Sequence, residues 1–145
     1  LVTRYLLDTN VLIALLWPWH TEQAKARSWF KTKAAKSFAT CSLTQAGFLR
    51  ITSTPSLIGE RYTLNEARLL LRDFTEWPGH AFWPTEIDFF AASAPFERRM
   101  YGPKQITDAY LLGLAKHHRG KLATFDKAIP SLAGPEFGDL VEFIT

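Results

Sequence analysis

Short apolar runs that stop at a polar residue alternate, along this chain, with longer amphipathic stretches. Tyr5-Leu6-Leu7 is the first run and the acid Asp8 ends it; such a run reads as a strand covered on both faces. A helix over Val11–Leu16 follows, with Thr9 or Asn10 able to accept from its free N–H groups. A second amphipathic stretch spans His20 to Lys36, with Thr21 as its cap and Glu22 in its first turn. Ser37-Phe38-Ala39-Thr40-Cys41 alternates like a strand, and Ser42 or Thr44 opens a helix that stops before Pro55. Ser53–Gly59 is a loop by composition. Thr63, with Glu66 three residues on, spells a capping box for a helix from Leu64 to about Glu76.

The second half repeats the alternation. Ala81-Phe82-Trp83 predicts a strand and Glu86–Ala92 a helix, while Ser93–Gln105 reads as a basic loop or a short frayed helix. Ile106-Thr107-Asp108 starts a helix that reaches His117 or His118 and is closed by Gly120. Lys121–Asp126 is another strand ending in an acid, followed by one helical turn at Lys127–Ile129 and a last strand at Leu140–Ile144. Strands alternating with helices, and few hairpin turns, predict a mostly parallel sheet with helices on both faces, a three-layer α/β/α sandwich.

Composition narrows the class only a little. A chain of 145 residues suits one domain over residues 1–145 with a sizeable core. No apolar run is long enough for a membrane span, and no signal-peptide pattern opens the chain. Cys41 stands alone, which excludes an intrachain disulfide and a multi-cysteine metal site; a cytoplasmic location is the expectation. The net charge of +3 permits nucleic-acid binding without demanding it.

The candidate chemistry lies in three aspartates. Asp8 and Asp126 each end an apolar strand, and Asp108 begins a helix after a short extended piece. Ligands of open α/β sheets bind at such strand ends. If the two strands are neighbours, the three carboxylates crowd one edge, and repulsion would force a proton onto one of them. A divalent ion with hard oxygen ligands removes the conflict, and metal-assisted phosphodiester hydrolysis is the chemistry that follows. Thr9, Asn10, Thr107 and Thr124 stand one or two residues away and could orient the ligands. Three caps would give the same spacing, so the residues alone leave both readings open.

Four segments carry a family resemblance: Leu7-Asp8-Thr9-Asn10-Val11-Leu12, Leu43-Thr44-Gln45-Ala46-Gly47-Phe48-Leu49-Arg50, Ile106-Thr107-Asp108-Ala109-Tyr110-Leu111 and Ala123-Thr124-Phe125-Asp126. In order and separation they resemble PIN-domain proteins, and specifically the VapC-type ribonuclease toxins of prokaryotic type II toxin–antitoxin systems. The resemblance implies a sheet of about five strands and an RNA endonuclease dependent on Mg2+ or Mn2+, with Asp8, Asp108 and Asp126 around the metal. It also implies a cognate VapB-like antitoxin and frequent homodimerisation. One position departs from the family: the second motif offers Gln45 where an acid is usual, so weaker metal binding is expected, as is a preference for Mn2+. That departure motivates the alternative of a non-catalytic RNA- or protein-binding PIN-like module. Arg98, Arg99 and Lys104 form a basic loop ahead of Asp108 that could draw RNA phosphates. Trp17-Pro18-Trp19 is expected to be partly exposed, and His117 and His118 to sit at a helix end.

Overall fold

The computed structural model describes residues 2–59 and 61–145. In chain order its elements are β1 (Tyr5–Leu7), α1 (Thr9–Leu16), α2 (Gln23–Trp29), β2 (Phe38–Thr40), α3 (Ser42–Thr52), α4 (Pro55–Ile58), α5 (Leu64–Thr75), β3 (His80–Phe82), α6 (Phe89–Ser93), α7 (Ile106–His117), β4 (Lys121–Thr124), α8 (Ala128–Ala133) and β5 (Val141–Phe143). The five strands form one sheet in the order β3-β2-β1-β4-β5. Every pairing is parallel.

Alternation along the strands builds the two outer layers. Leu7, Phe38 and Ala123 point into one core with α1, α2, α3 and α5, where Val11, Leu12, Phe30, Phe48 and Phe74 pack. Their neighbours Leu6, Ala39 and Leu122 point the opposite way, onto Phe96, Leu111, Leu112, Leu114 and Ile129. Successive side chains of a strand face opposite sides of the sheet. Three strands of only three or four residues thus serve two cores at once.

Glycines at two helix contacts allow a close approach. A Cβ on Gly113 would fall 2.1 Å from the Ala92 carbonyl oxygen, so α7 lies directly against α6. A Cβ on Gly47 would fall 2.7 Å from Thr9 Oγ1, which seats α3 against the first turn of α1.

The capping box is formed as the sequence predicts: Glu66 N–H donates to Thr63 Oγ1 at 3.1 Å and Thr63 N–H to Glu66 Oε1 at 2.9 Å. Several boundaries differ. Thr21 is not a cap, because α2 starts at Gln23 and the chain then widens into a π-helical turn at Phe30–Ala34. Ser53–Gly59 is not all loop: Pro55 supplies a ready first turn for α4. The helix expected over Glu86–Ala92 is only Phe89–Ser93, with Asp88 accepting from Ala91 N–H as its cap. Helix α7 is closed by Arg119, at φ 58°, rather than by Gly120. Trp17 is buried, and its indole N–H donates to Thr52 Oγ1 at 3.0 Å. Among the described residues no helix is long and apolar enough to cross a membrane.

Candidate functional site

The chain leaves β1 for β2 on one side of it and later crosses back to place β4 on the other. The carboxyl ends of β1 and β4 therefore lie at a topological switch point, the position where parallel sheets bind ligands. Asp8 follows β1 directly. Its N–H donates to the Ala123 carbonyl at 3.0 Å, which extends the ladder to the switch point. The same residue caps α1, with Oδ1 accepting from Thr9 N–H at 2.8 Å. Thus the cap is Asp8 itself, and Thr9 is a donor to it.

Thr124, at the end of β4, binds the other carboxylate oxygen: its hydroxyl donates to Asp8 Oδ2 at 2.8 Å. The hydroxyl oxygen also accepts from Asp126 N–H at 3.0 Å and from Asn10 Nδ2 at 3.3 Å. Asn10 bridges further, from Asp8 Oδ2 at 3.4 Å to Phe125 N–H, which donates to Asn10 Oδ1 at 3.2 Å. One hydroxyl therefore ties both strand-end acids together. Asp126 Oδ1 accepts from Ala128 N–H at 2.9 Å and so opens α8.

Asp108 enters from the first turn of α7, which Gly113 holds against α6. Burial and the negative charges of Asp8 and Asp126 push its carboxyl up to about 7. Asp8 is also raised, first by burial. The Thr124 and Thr9 bonds pull it back, and the Asp126 charge adds to the rise. Asp8, Asp108 and Asp126 are thus brought into electrostatic range of one another, and among the described residues no lysine or arginine pairs with any of them. Buried carboxylates without a compensating cation are costly. Hard oxygen donors with surplus negative charge fit a divalent cation of the Mg2+ or Mn2+ type.

The remaining sequence candidates divide. Thr107 is exposed and, among the described residues, makes no side-chain hydrogen bond to the acids. Gln45 is hydrogen-bonded to none of the three acids; its Nε2 donates to Thr40 Oγ1 at 3.0 Å, and Thr40 Oγ1 meets His80 Nε2 at 2.7 Å. Burial lowers the pKa of His80, which favours the neutral ring that can accept the threonine proton. Gln45 also lines a groove of about 350 Å³ with Asn65, Arg68 and Arg72 of α5. Neither arginine was singled out in the sequence, although their i, i+4 spacing on a helix with an apolar opposite face was visible. Arg98 and Lys104 are exposed ahead of α7, whereas the Arg99 guanidinium packs on Gly134.

Sheet order and carboxylate edge define an α/β protein whose cluster of acids lies at the switch point beside its central strand. The PIN domain family pattern matches residues 5–135, and the chain belongs to that family. It is 38% identical to Ribonuclease VapC39 of Mycobacterium tuberculosis over 88% of this chain and 92% of the relative. It is 35% identical to Ribonuclease VapC38 of the same organism over 97% of both chains. In structure it resembles VapBC2 from Rickettsia felis bound to a DNA fragment from their promoter, with a TM-score of 0.64, 11% identity and coverage of 97% and 98% of the two chains.

Proposed function

We propose that this chain is a metal-dependent endoribonuclease, the toxin of a type II toxin–antitoxin pair. The observation that carries the reading is the set of three carboxylates at the switch point, Asp8 buried, Asp108 half-buried and Asp126 exposed, mutually repelling and, among the described residues, ion-paired to no lysine or arginine. The ribonuclease relatives at 35–38% identity support RNA as the substrate. Asp8, Asp108 and Asp126 would hold the ion. When bound, Mg2+ or Mn2+ would supply a water of lowered pKa and offset the charge that builds on the phosphate.

The protein's own part is positioning. Thr124 and the Thr9 N–H fix both oxygens of Asp8, so its carboxylate cannot rotate away from the switch point. Asn10 locks the β1 and β4 ends to each other. Asp108 carries its proton up to near neutral pH and gives it up as the site fills. Arg68 and Arg72, together with Arg98 and Lys104, supply positive charge for the RNA phosphates. Gln45, oriented by Thr40, keeps its amide oxygen for a ligand or a bound water. Because three acids remain, the catalytic reading is favoured over a non-catalytic binding module.

A cognate VapB-like antitoxin is the partner in this reading, and the chain folds as one domain that forms a homodimer. The apolar groove of about 390 Å³ lined by Leu15, Leu16, Phe30, Phe74 and Trp77 supports a protein partner. The test is cleavage of end-labelled RNA by the purified chain with Mg2+, with Mn2+ and with EDTA. Cutting that needs the ion and vanishes in Asp8→Asn is the expected result. Cutting that survives EDTA would overturn the proposal.

A further inference from the structure

We propose that Glu86, His117 and His118 form a second metal site, one for a borderline transition-metal ion such as Zn2+. Glu86 stands in the loop between β3 and α6. His117 is the last residue of α7, and His118 caps it. The nine steps from Asp108 to His117 span ~14 Å of helix, so this cluster lies at the end of α7 remote from the three aspartates.

The geometry is that of a ligand set. Glu86 Oε1 lies 3.2 Å from His117 Nε2 and 3.6 Å from His118 Nε2. All three ligand atoms lie within 4.8 Å of one another. Bonds of ~2.0–2.1 Å to a tetrahedral ion place its ligand atoms roughly 3.3 Å apart, close to both of these separations. The rings are perpendicular, at 89° with centroids 5.1 Å apart, which lets both Nε2 atoms converge without a clash. His118 is held in place by stacking on Trp83, at 4.4 Å and 11°.

An ion pair alone leaves part of this arrangement unexplained. Glu86 Oε1 accepts from His117, yet His118 Nε2 is buried and, among the described residues, has no hydrogen-bond partner, with Glu86 Oε1 3.6 Å away. A buried imidazole nitrogen without a partner costs stability unless something binds it. Two imidazoles and one carboxylate suit Zn2+ rather than Mg2+. The exposed sides of Glu86 and His117 leave a position for water, and a cation at a helix C-terminus is favoured by the helix dipole. The ion would fasten the β3–α6 loop to the end of α7. This inference stands whether or not the chain cuts RNA.

The test is calorimetric titration of ZnCl2 into the tag-free full chain, paired with the visible absorption of the Co2+-loaded protein. One equivalent is expected to bind at micromolar concentration, with the intense d–d bands of a tetrahedral site. Glu86→Gln and His117→Asn, both at exposed positions that leave the core intact, should each weaken binding at least tenfold, while Asp8→Asn should not. Absence of binding would overturn the proposal. So would binding that is lost in Asp8→Asn but kept in Glu86→Gln and His117→Asn.

Discussion

Helix α7 carries a cluster of ionisable groups at each end, and the two ends handle charge in opposite ways. At its first turn, Asp108 meets Asp8 and Asp126, three potential negative charges that, among the described residues, form no ion pair with a lysine or arginine. At its last turn, two imidazoles that can be neutral share one exposed carboxylate. The first end resolves its repulsion by holding protons or admitting a hard cation. The second has little charge to relieve and is short only of a partner for His118 Nε2. Proximity is common to both; donor type and charge count decide which ion each could hold.

The comparison breaks most sharply at the acids. Asp8→Asn or Asp108→Asn is expected to reduce RNA cleavage about 10³-fold or more, since on the proposed reading each would take away a carboxylate that holds the ion. Glu86→Gln should leave the rate unchanged, and single-turnover cleavage of labelled RNA with circular dichroism as a folding control checks both. A smaller loss, about 10–100-fold, is expected for Thr124→Val, which keeps the shape but removes the hydroxyl's bonds to Asp8 Oδ2 and the Asp126 N–H. Measuring Mg2+ affinity alongside the rate tells whether that loss comes from ion binding.

Gln45→Glu tests whether charge count sets affinity at the oxygen-donor end. Mg2+ binding by calorimetry should tighten about tenfold, because ligand charge tunes cation affinity. The new carboxylate cannot donate to Thr40, so a slight loss of thermal stability should accompany the gain.

The smallest effect is the pH dependence of metal-free stability. In the folded state Asp108 titrates at about 7, against ~3.9 for an unfolded aspartate. Between these values the folded chain binds more protons, so stability falls as pH rises through the window and the loss is complete above it. Because the carboxyl is partly exposed, solvent screening trims the loss to about 1 kcal/mol. Thermal melts in EDTA from pH 5 to pH 8 should show this decline in wild type and a flatter profile in Asp108→Asn. Added Mg2+ should restore more stability at pH 8 than at pH 5.

Much of the fold was legible because its signals are local. Apolar runs closed by Asp8 and Asp126, the Thr63–Glu66 box, and the periodicity of α5 and α7 each sit within a few residues of what they predict. What was lost concerns residues whose roles are set elsewhere. Nothing near Gln45 announces that its amide is held by Thr40 and His80, and Arg68 and Arg72 look like an ordinary wet helix face. The packing of the Arg99 guanidinium on Gly134 joins residues 35 positions apart, which no local pattern shows. His117 and His118 show in the sequence only as helix-end residues, because Glu86 lies about thirty positions upstream.

By itself the sequence determined the alternation of strands and helices, the acids at the strand ends and the family to which they belong, since those depend on neighbours along the chain. Tertiary structure alone decided that β4 would lie beside β1, so that Thr124 reaches Asp8 across 116 positions. It also decided that the far end of α7 would meet Glu86. Both outcomes rest on the order of strands in the sheet, which is fixed by how two opposed cores share the alternate side chains of β1, and no local pattern encodes that order.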